Sequence, residues 1–398
     1  PIAIISREAH HTYSRPLISY LLGGKVGEEQ MVYRKADFYE KHGITPLLGV
    51  EATSIDPSSH KVATDEGREF RYEQLLIATG GTPVLPPGVE GIDSQGVFTF
   101  TTWEDARAID GFIREHEIEA AVVVGGGLIG LKSMEALAER GIRTTVVELA
   151  DRILSTTFDG TASEIARKHL EDRGVDVICG NTVESVKTDS GRVSGVTLKD
   201  GRTVECGLAL FAIGVRPAVD VVHGTPVQCD RGIIVDKRMR TSCEDVYAAG
   251  DVAQARDLLR GEARTMPIFP DAYRQGQIAG TNMSGGSRRY KGGLAMNSVD
   301  IFGLPTISVG ITTPGDDDCE TMVERDRDVY RKIAIRDGRV VGAVFIGDID
   351  RAGIITGLIR EQIDVSDFRD VLLTDEFGLI SLPAEYRKHV VSGEGIEV

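Results

Sequence analysis

Residues 120–148 decide the fold, and they read AAVVVGGGLIGLKSMEALAERGIRTTVVE. The first five residues form a short apolar run that predicts a buried strand. A glycine-rich turn follows, and residues 131–140 then predict a helix that stops at the next glycine. A second strand, residues 144–147, ends at Glu148, 18 positions after Gly130. This order of elements predicts a dinucleotide-binding βαβ unit, which consists of a strand, a G-x-G-x-x-G turn, a helix, a second strand and an acidic residue.

The glycine turn carries the residues expected to contact a dinucleotide. Its three glycines would let the backbone turn tightly, approach a pyrophosphate and pack the helix closely against the strands. The helix N-terminus would then present unpaired N–H groups and the positive end of its dipole to the phosphates. The expected cofactor-binding residues of this turn are Gly125, Gly127, Leu128, Ile129 and Gly130. A glycine turn that binds no ligand is the alternative.

Glu148 predicts which nicotinamide cofactor is used. A carboxylate at this position can accept hydrogen bonds from both ribose hydroxyls. It would meet a 2′-phosphate with like charge, so NADH is expected and NADPH is less favoured. Arg143 and Arg152 are close to Glu148 in the sequence, so NADPH remains an alternative cofactor.

The chain also contains an internal repeat. Three spacings agree between the two copies: six positions in Gly43–Gly49 and Gly174–Gly180, thirteen in Gly67–Gly80 and Gly201–Gly214, and three in Gly80–Pro83 and Gly214–Pro217. The second copy contains the βαβ unit described above. The first copy begins at its second strand, residues 1–6, so its own strand, glycine loop and helix, roughly 25–30 residues, are expected upstream of residue 1.

Two later stretches add a second candidate site and a third domain. Residues 246–251 (VYAAGD) predict a strand that runs into a Gly-Asp turn. Asp251 there is either a helix N-cap or a carboxylate that accepts a hydroxyl of a flavin, and the repeat favours the flavin. Residues 330–335 and 340–346 flank Asp337-Gly338 as a hairpin, and residues 352–362 predict a helix, so the part from Tyr290 onward is expected to be α+β.

The composition excludes several classes of protein. With 45 Lys+Arg and 61 Asp+Glu the net charge is −16, which argues against a general nucleic-acid-binding protein. No apolar run approaches the roughly 20 residues of a membrane helix, so no membrane insertion is expected. Five scattered cysteines without a CxxC pair do not predict a secreted disulfide framework, and a cytoplasmic protein is expected. His10-His11 could bind a metal, but a surface loop is favoured and no metal is expected.

These motifs resemble the FAD-dependent pyridine nucleotide-disulfide oxidoreductase superfamily. The resemblance covers essentially the whole chain and rests on the two dinucleotide units, on the α+β C-terminal domain, and on residues 78–80 (ATG), 125–130 (GGGLIG) and 247–251 (YAAGD). Residues 13–17 (YSRPL) are similar to the rubredoxin reductase and nitrite reductase flavoprotein branch.

The resemblance implies an α/β fold with two Rossmann-like domains for FAD and NAD(P), the first without its opening βα unit, and a C-terminal α+β interface domain. The implied FAD-binding domain comprises residues 1–110 and 240–289, the NAD-binding domain residues 111–239, and the third domain residues 290–398. A homodimer with the third domain at its interface is expected.

The resemblance also assigns residues to the cofactor sites. The implied FAD contacts are Arg15 near the flavin, Ala52 at the adenine, Thr79 and Gly80 at the pyrophosphate, Gly250 and Asp251 at the ribityl chain, Ala272 at a helix start that points at the flavin ring, and Asn297. Gly214 is implied to contact NAD.

The chain departs from the family pattern in three ways. The glycine loop that would hold FAD is not in this sequence, which puts FAD binding in question. Lys132 stands where the family often has Glu, and it is either a cation beside the nicotinamide–flavin contact or an outward-facing helix lysine. No cysteine occurs in residues 14–24, and Cys206 and Cys243 are expected to be buried packing residues. Disulfide reductase activity is therefore not expected, because it needs a thiolate next to the flavin.

The resulting prediction is an FAD-dependent NADH oxidoreductase that transfers hydride from NADH to flavin and electrons to a rubredoxin or iron–sulfur protein. An NADH oxidase that reduces oxygen, and a flavin-binding assembly subunit without turnover, are the alternatives. The assembly subunit is suggested by an apolar–basic tail at residues 377–389. Arg288, Arg289 and Lys291 form a basic loop that could bind an acidic carrier, with a solvated loop as the alternative. The acidic residues 316–318 are expected to be a solvated turn.

Overall fold

The structure, a computed structural model, describes residues 1–315 and 319–383. The acidic residues 316–318 and the last part of the predicted tail, residues 384–389, lie outside the described residues. The described chain forms two compact units. The first comprises residues 1–153 and 170–293, and the second comprises residues 154–169 and the described residues from Leu294 onward. The domain boundaries given above stay a prediction.

The elements are named here in chain order for the described residues. The α-helices are α1 (Ile18–Leu22), α2 (Glu28–Met31), α3 (Phe38–Lys41), α4 (Trp103–Glu115), α5 (Leu128–Glu139), α6 (Gly160–Glu171), α7 (Phe269–Met283) and α8 (Ala352–Glu361). The strands of the first half are β1 (Ile2–Ser6), β2 (Ile44–Leu48), β3 (Ala52–Asp56), β4 (Lys61–Thr64), β5 (Glu69–Arg71), β6 (Leu75–Ile77), β7 (Gly81–Pro83), β8 (Val97–Thr99), β9 (Ala120–Val124), β10 (Arg143–Glu148), β11 (Asp176–Cys179), β12 (Val183–Asp189) and β13 (Arg192–Leu198). The later strands are β14 (Thr203–Glu205), β15 (Leu208–Phe211), β16 (Val215–Pro217), β17 (Ile233–Ile234), β18 (Val246–Ala248), β19 (Ala253–Arg256), β20 (Ala263–Thr265), β21 (Met296–Ile301), β22 (Leu304–Gly310), β23 (Glu320–Asp326), β24 (Val329–Arg336) and β25 (Arg339–Ile346).

A five-stranded parallel sheet contains the glycine turn. Its order is β11-β10-β9-β15-β8, and α5 packs against β9 and β10. Residues 121–124 and 208–211 are buried, as expected for central strands that are covered on both faces. The predicted strands are confirmed, and β10 begins one residue earlier than predicted. The predicted helix start at residue 131 is wrong, because α5 begins at Leu128 with Gly127 as its N-cap.

The predicted repeat is present in the backbone. The eight glycines of the paired spacings all have positive φ, a conformation that L-residues rarely adopt. Each copy contains a three-stranded antiparallel sheet, β3-β4-β5 in the first and β12-β13-β14 in the second. The equivalent strands β7 and β16 pair with each other, with Thr82 opposite Arg216. Ala218 N donates to Gly80 O at 2.9 Å, and Val84 N donates to Gly214 O at 3.0 Å, so the pairing is symmetric.

The first copy also contains two short parallel sheets. One is β1 paired with β2, and the other is β6 paired with β18. Within the described residues β1 pairs with β2 alone, and its side chains at Ile2 and Ile4 are 59% and 36% exposed. The described first copy therefore contains no counterpart of β9, the glycine loop and α5, in agreement with the expected fold class.

The second unit is α+β. Its antiparallel sheet has the order β21-β22-β25-β24-β23, and α8 packs on β25. The predicted hairpin and helix are confirmed, and positive φ at Asp337 and Gly338 matches a tight two-residue hairpin turn. Asp159 accepts hydrogen bonds from Tyr330 Oη at 2.7 Å, from Lys332 Nζ at 2.9 Å and from Ala162 N at 3.0 Å. These bonds fasten the start of α6 to β24.

Candidate functional site

The three glycines of residues 125–130 have distinct geometric roles. Gly125 has φ of 111°, and a Cβ there would lie 2.4 Å from Ala212 O, so the chain can turn only without a side chain. A Cβ on Gly130 would lie 1.9 Å from Gly125 O, which shows how closely α5 approaches the turn. Gly127, in contrast, faces open space, with no atom within 4 Å of an added Cβ. The loop therefore leaves room for a phosphate beside the helix N-terminus, where N–H groups are unpaired.

Glu148 is fixed beside this loop by two backbone amides. Gly126 N donates to Glu148 Oε2 at 2.6 Å, and Ala150 N donates to Glu148 Oε1 at 2.7 Å. A carboxylate has about four lone-pair sites, so each oxygen retains one for another donor. The side chain is thus oriented at the end of β10 and can still accept two hydroxyl groups.

Exposed apolar side chains surround the loop at the carboxyl ends of the sheet. Ile129 at the start of α5 is 38% exposed, Leu149 after β10 is 69% exposed, and Ile213 after β15 is 40% exposed. Ligands of open parallel sheets bind at the carboxyl ends of the strands, where these residues lie. Leu149 and Ile213 are not among the predicted site residues, although their positions directly after predicted strands could have indicated them. Gly214 lies next to Ile213 and has φ of 118°.

The residues expected at the FAD also follow parallel strands. Thr79 and Gly80 come after β6, and Thr79 Oγ1 donates to Ala218 O at 2.7 Å. Gly250 and Asp251 come after β18, the partner of β6. Ala52 begins β3 shortly after β2 ends. These positions agree with a ligand at this edge of the first copy, although the contacts themselves stay predictions.

Asp251 has the surroundings of a carboxylate that binds a ligand hydroxyl. Burial raises the pKa of this carboxyl, and the charge of Arg15 partly offsets the rise. Within the described residues no hydrogen bond reaches its oxygens. Asp251 is half-buried, so its carboxylate is partly desolvated and can still be reached by a ligand hydroxyl, which would stabilise it. The structure thus brings Arg15 and Asp251 together, and Arg15 is also held by Glu8 and by the carbonyl of Thr101. The residues present fit FAD.

A buried polar network positions the Gly-Asp turn. Gly250 N donates to Gln275 Oε1 at 2.9 Å, and Gln275 Nε2 lies 3.4 Å from Tyr290 Oη. Tyr290 in turn donates to Asp271, a residue that is 1% exposed in the first turn of α7. Burial and the Asp271 charge raise the pKa of Tyr290. A Cβ added to Gly250 would lie 3.5 Å from Ala272 Cβ, which places the predicted helix start against the turn. Asp271 belongs to the helix start that the resemblance implied, but a role in this network was predicted neither for its side chain nor for Tyr290.

Lys132 differs from one of its two predicted surroundings, that of an outward-facing helix lysine. Its side chain is 18% exposed, forms an ion pair with Glu135, and lies 5.1 Å from the centre of the Tyr20 ring. Glu135 is itself 3% exposed. Lys132 is therefore not an outward-facing lysine, and its contact with the nicotinamide stays a prediction.

Several other predicted residues lie elsewhere. Asn297 is on β21 in the second unit, opposite Ser308, and its role stays a prediction. His10 and His11 lie in a loop, as expected, but their rings stack on Trp103 and Tyr39. Cys206 is buried as expected, and Cys243 is partly buried. No described helix has the length and apolar character to cross a membrane.

Comparisons with known proteins extend this description. Residues 1–276 match the family described as pyridine nucleotide-disulphide oxidoreductase, and residues 296–363 match the rubredoxin NAD+ reductase C-terminal domain. The epsilon subunit of NADH-dependent phenylglyoxylate dehydrogenase from Aromatoleum evansii is 33% identical over 93% of this chain and 87% of that protein. Rubredoxin-NAD(+) reductase from Pseudomonas putida is 32% identical over 72% of this chain and 74% of that protein.

The solved structure of a NAD-dependent persulfide reductase from A. fulgidus has a TM-score of 0.85 at 27% identity, over 92% of this chain and 73% of that chain. The chain spans about half the length of several other curated relatives that it matches. These likenesses confirm the predicted fold class, the predicted FAD-dependent NAD(P)H oxidoreductase class and the predicted cofactors, FAD and NADH. With the family match covering well over half of its length, the chain belongs to the pyridine nucleotide-disulphide oxidoreductase family.

Proposed function

We propose that the chain oxidises NADH and delivers the electrons, by way of bound FAD, to a separate one-electron carrier protein of the rubredoxin or iron–sulfur type. The observation that carries this proposal is the lack of a cysteine at the candidate flavin site. Family members that reduce disulfides need a thiolate beside the flavin. Here the five cysteines are at positions 179, 206, 229, 243 and 319, none of them in residues 14–24 or beside Asp251.

The thiols of Cys206, Cys229 and Cys243 are also poorly suited to redox exchange. Burial raises the pKa of Cys206 to about 12 and also raises the pKa of Cys229, so both favour the unreactive thiol form. Cys243 packs against the hydrophobic core below β18. Without a thiol relay, the electrons have to leave to an external acceptor.

The residues of the chain supply binding and orientation. FAD, when bound, supplies a ring system that accepts a hydride and can release the electrons one at a time. Residues 125–130 would hold the NADH pyrophosphate, and Glu148 would hold the adenosine ribose. Asp251 would accept a hydroxyl hydrogen bond from the flavin cofactor, with Arg15 supplying positive charge nearby. None of these groups has to donate or accept a proton for hydride transfer.

Two likenesses support a protein acceptor. One relative is named rubredoxin-NAD(+) reductase, and residues 296–363 match the C-terminal domain of that enzyme class. Another relative is a subunit of an NADH-dependent dehydrogenase, which suggests an acceptor within a larger complex. A homodimer remains a prediction.

A second candidate function is an NADH oxidase that reduces oxygen directly. NADH oxidase from Methanocaldococcus jannaschii is 32% identical over 71% of this chain. The oxidase hypothesis predicts that the NADH-reduced protein consumes oxygen rapidly, without a carrier protein.

Stopped-flow spectroscopy of the FAD-loaded protein separates these possibilities. NADH should bleach the flavin absorbance without oxygen, and the reduced protein should then react faster with rubredoxin or a [2Fe–2S] ferredoxin than with dissolved oxygen. Faster reaction with oxygen would favour the oxidase. If NADH does not bleach the flavin at all, an assembly subunit without turnover becomes the better description.

A further inference from the structure

An exposed aromatic pair joins the two flanks of the candidate flavin site. The rings of Tyr33 and Phe269 meet edge to face with their centres 6.0 Å apart, and the residues are 39% and 49% exposed. Tyr33 N donates to Thr12 O at 3.0 Å, which places Tyr33 beside the segment that contains Arg15. Phe269 is the first residue of α7, one turn before Ala272, which packs near Gly250. The pair thus lies at the rim of the candidate flavin site.

The exposed apolar surface continues on both sides of this pair. Val32 is 42% exposed, and Tyr273, four residues after Phe269 on the same face of α7, is 45% exposed. We call Val32, Tyr33, Phe269 and Tyr273 the aromatic rim. Large exposed apolar groups that cluster at one place indicate an interaction site, and aromatic side chains are enriched in the centres of protein interfaces.

Two exposed, positively charged residues directly follow Tyr33 of the aromatic rim in the sequence. The Arg34 guanidinium lies 4.6 Å from the Tyr33 ring centre and 5.4 Å from the Phe38 ring centre, so it is held over both rings while exposed. Lys35 follows and is also exposed. The nearest acid in the sequence, Asp37, pairs with Lys41 at 2.6 Å.

The charge balance indicates what kind of partner would bind. The chain carries a net charge of −16, so most of its surface repels an acidic protein. A local pair of cations beside the flavin site would orient such a protein with its acidic face toward the aromatic rim. Electron transfer becomes slow over long distances, which makes a docking surface next to the flavin favourable.

We infer that the aromatic rim, with Arg34 and Lys35, is the docking surface for an acidic one-electron carrier protein. This inference rests on the proposed function and adds the place where the carrier binds. Aromatic contacts would form the water-excluding centre of the interface. The two cations would attract the acidic carrier and fix its orientation.

The basic loop identified in the sequence is the alternative docking surface, with which the aromatic rim is compared. Tyr290 N donates to Lys237 O at 2.7 Å, and Arg238 Nη2 donates to Ser287 Oγ at 3.1 Å, so Lys237 and Arg238 join Arg288, Arg289 and Lys291. This cluster has more positive charge than the aromatic rim. It lies, however, beyond the C-terminal end of α7, whose 15 residues span about 22 Å from Phe269.

Three variants of the full-length, FAD-loaded protein test the inference: Arg34→Glu, Tyr273→Ser, and Arg288→Glu as the control with the same charge change. Each is assayed with NADH and ferricyanide, which needs no docking surface, and with NADH and an acidic [2Fe–2S] ferredoxin or rubredoxin. Arg34→Glu should raise KM for the carrier about tenfold at low salt, and added salt should narrow the difference. Tyr273→Ser should raise KM several-fold at every salt concentration. Arg288→Glu should stay within about twofold of the parent, and all three should keep the ferricyanide rate.

The possible contrary results are distinct. A larger KM for Arg288→Glu than for Arg34→Glu would move the docking surface to the basic loop and overturn the inference. Unchanged carrier kinetics in both rim variants would also overturn it while leaving the proposed function intact. If the parent protein reduces ferricyanide but no carrier, the proposed function fails first. If Tyr273→Ser turns a dimer into a monomer in light scattering, the rim is a contact between copies of the chain instead.

Discussion

The two hydrogen bonds that orient Glu148 allow a quantitative test of cofactor selection. The carboxylate is fixed by Gly126 N at 2.6 Å and by Ala150 N at 2.7 Å, one on each oxygen. Glu148→Ala removes these two bonds together with the two positions available for ribose hydroxyls. The variant therefore changes both the stability of the loop and the recognition of the ribose, and the two effects have to be separated.

The comparison of NADH with NADPH separates them. Loss of bonds to backbone amides, each worth about 1.5–3 kcal/mol when the acceptor is charged, weakens the loop equally for both cofactors. Loss of the contact with the 2′-hydroxyl affects NADH alone, by about 1–3 kcal/mol, because NADPH carries a phosphate on that oxygen, and removal of the negative charge favours this phosphate. At 1.4 kcal/mol for each factor of ten, the preference for NADH should fall by roughly 5- to 150-fold.

The assay measures kcat/KM for NADH and for NADPH in anaerobic flavin reduction, together with both dissociation constants by calorimetry. Glu119→Gln is the control, because Glu119 is an 87% exposed acid at the opposite end of the sheet, directly before β9. The control should leave the NADH/NADPH ratio unchanged. A ratio in Glu148→Ala within twofold of the parent would refute the ribose assignment, even if both affinities fell.

Three further predictions concern other parts of the structure. Gly130→Ala forces a Cβ to within 1.9 Å of Gly125 O, so the helix must shift by about 1 Å and kcat/KM for NADH should fall roughly a hundredfold, whereas Gly111→Ala, in open space on α4, should leave NADH kinetics unchanged. Asp251→Ala should lower the flavin-to-protein absorbance ratio yet keep or raise the melting temperature of the flavin-free protein, because it removes a half-buried carboxylate whose desolvation no protein donor offsets; a lower melting temperature would contradict this. Burial acts to raise the pKa of Asp159, but hydrogen bonds from Ala162 N, Lys332 and Tyr330 and the Lys332 charge outweigh it and lower the pKa. The ionised Asp159 thus stabilises the fold above its unfolded pKa of about 3.9, and this contribution is lost as the pH falls through the folded pKa. The free energy of unfolding should therefore decrease less steeply at acid pH in Asp159→Asn than in the parent protein.

The backbone of the candidate site could be predicted because local sequence determines it. Gly125 and Gly214 occupy positions where φ is positive, and a repeated glycine spacing therefore reports a repeated chain path. The hairpin turn at Asp337-Gly338 was predictable for the same reason. The predicted start of α5 is three residues late, because Leu128 and Ile129 belong to the glycine motif in the sequence although Gly127 already caps the helix.

The side-chain surroundings could not be predicted, because they depend on contacts between distant residues. Lys132 resembles an isolated cation in the sequence, and its partners Glu135 and Tyr20 become apparent only when α1 packs on α5. Tyr33 and Phe269 are more than two hundred positions apart and meet through the fold. The residues 154–169, within the stretch predicted to bind NAD, belong to the second compact unit, and no local pattern in them indicates this.

The duplication also shows where the two copies have diverged in chemistry. Ser6 is opposite Leu48 in the β1–β2 pair, and Glu148 is opposite Cys179 in the β10–β11 pair. Their carbonyls accept equivalent bonds, from Val50 N and from Asn181 N, both at 3.0 Å, so Ser6 and Glu148 occupy the same position in the repeat. A serine hydroxyl is neutral and short, whereas the glutamate reaches the amides of the glycine loop. The same backbone thus offers a charged ribose acceptor in the second copy and a neutral side chain in the first, so the capacity to select NADH by charge belongs to the second copy.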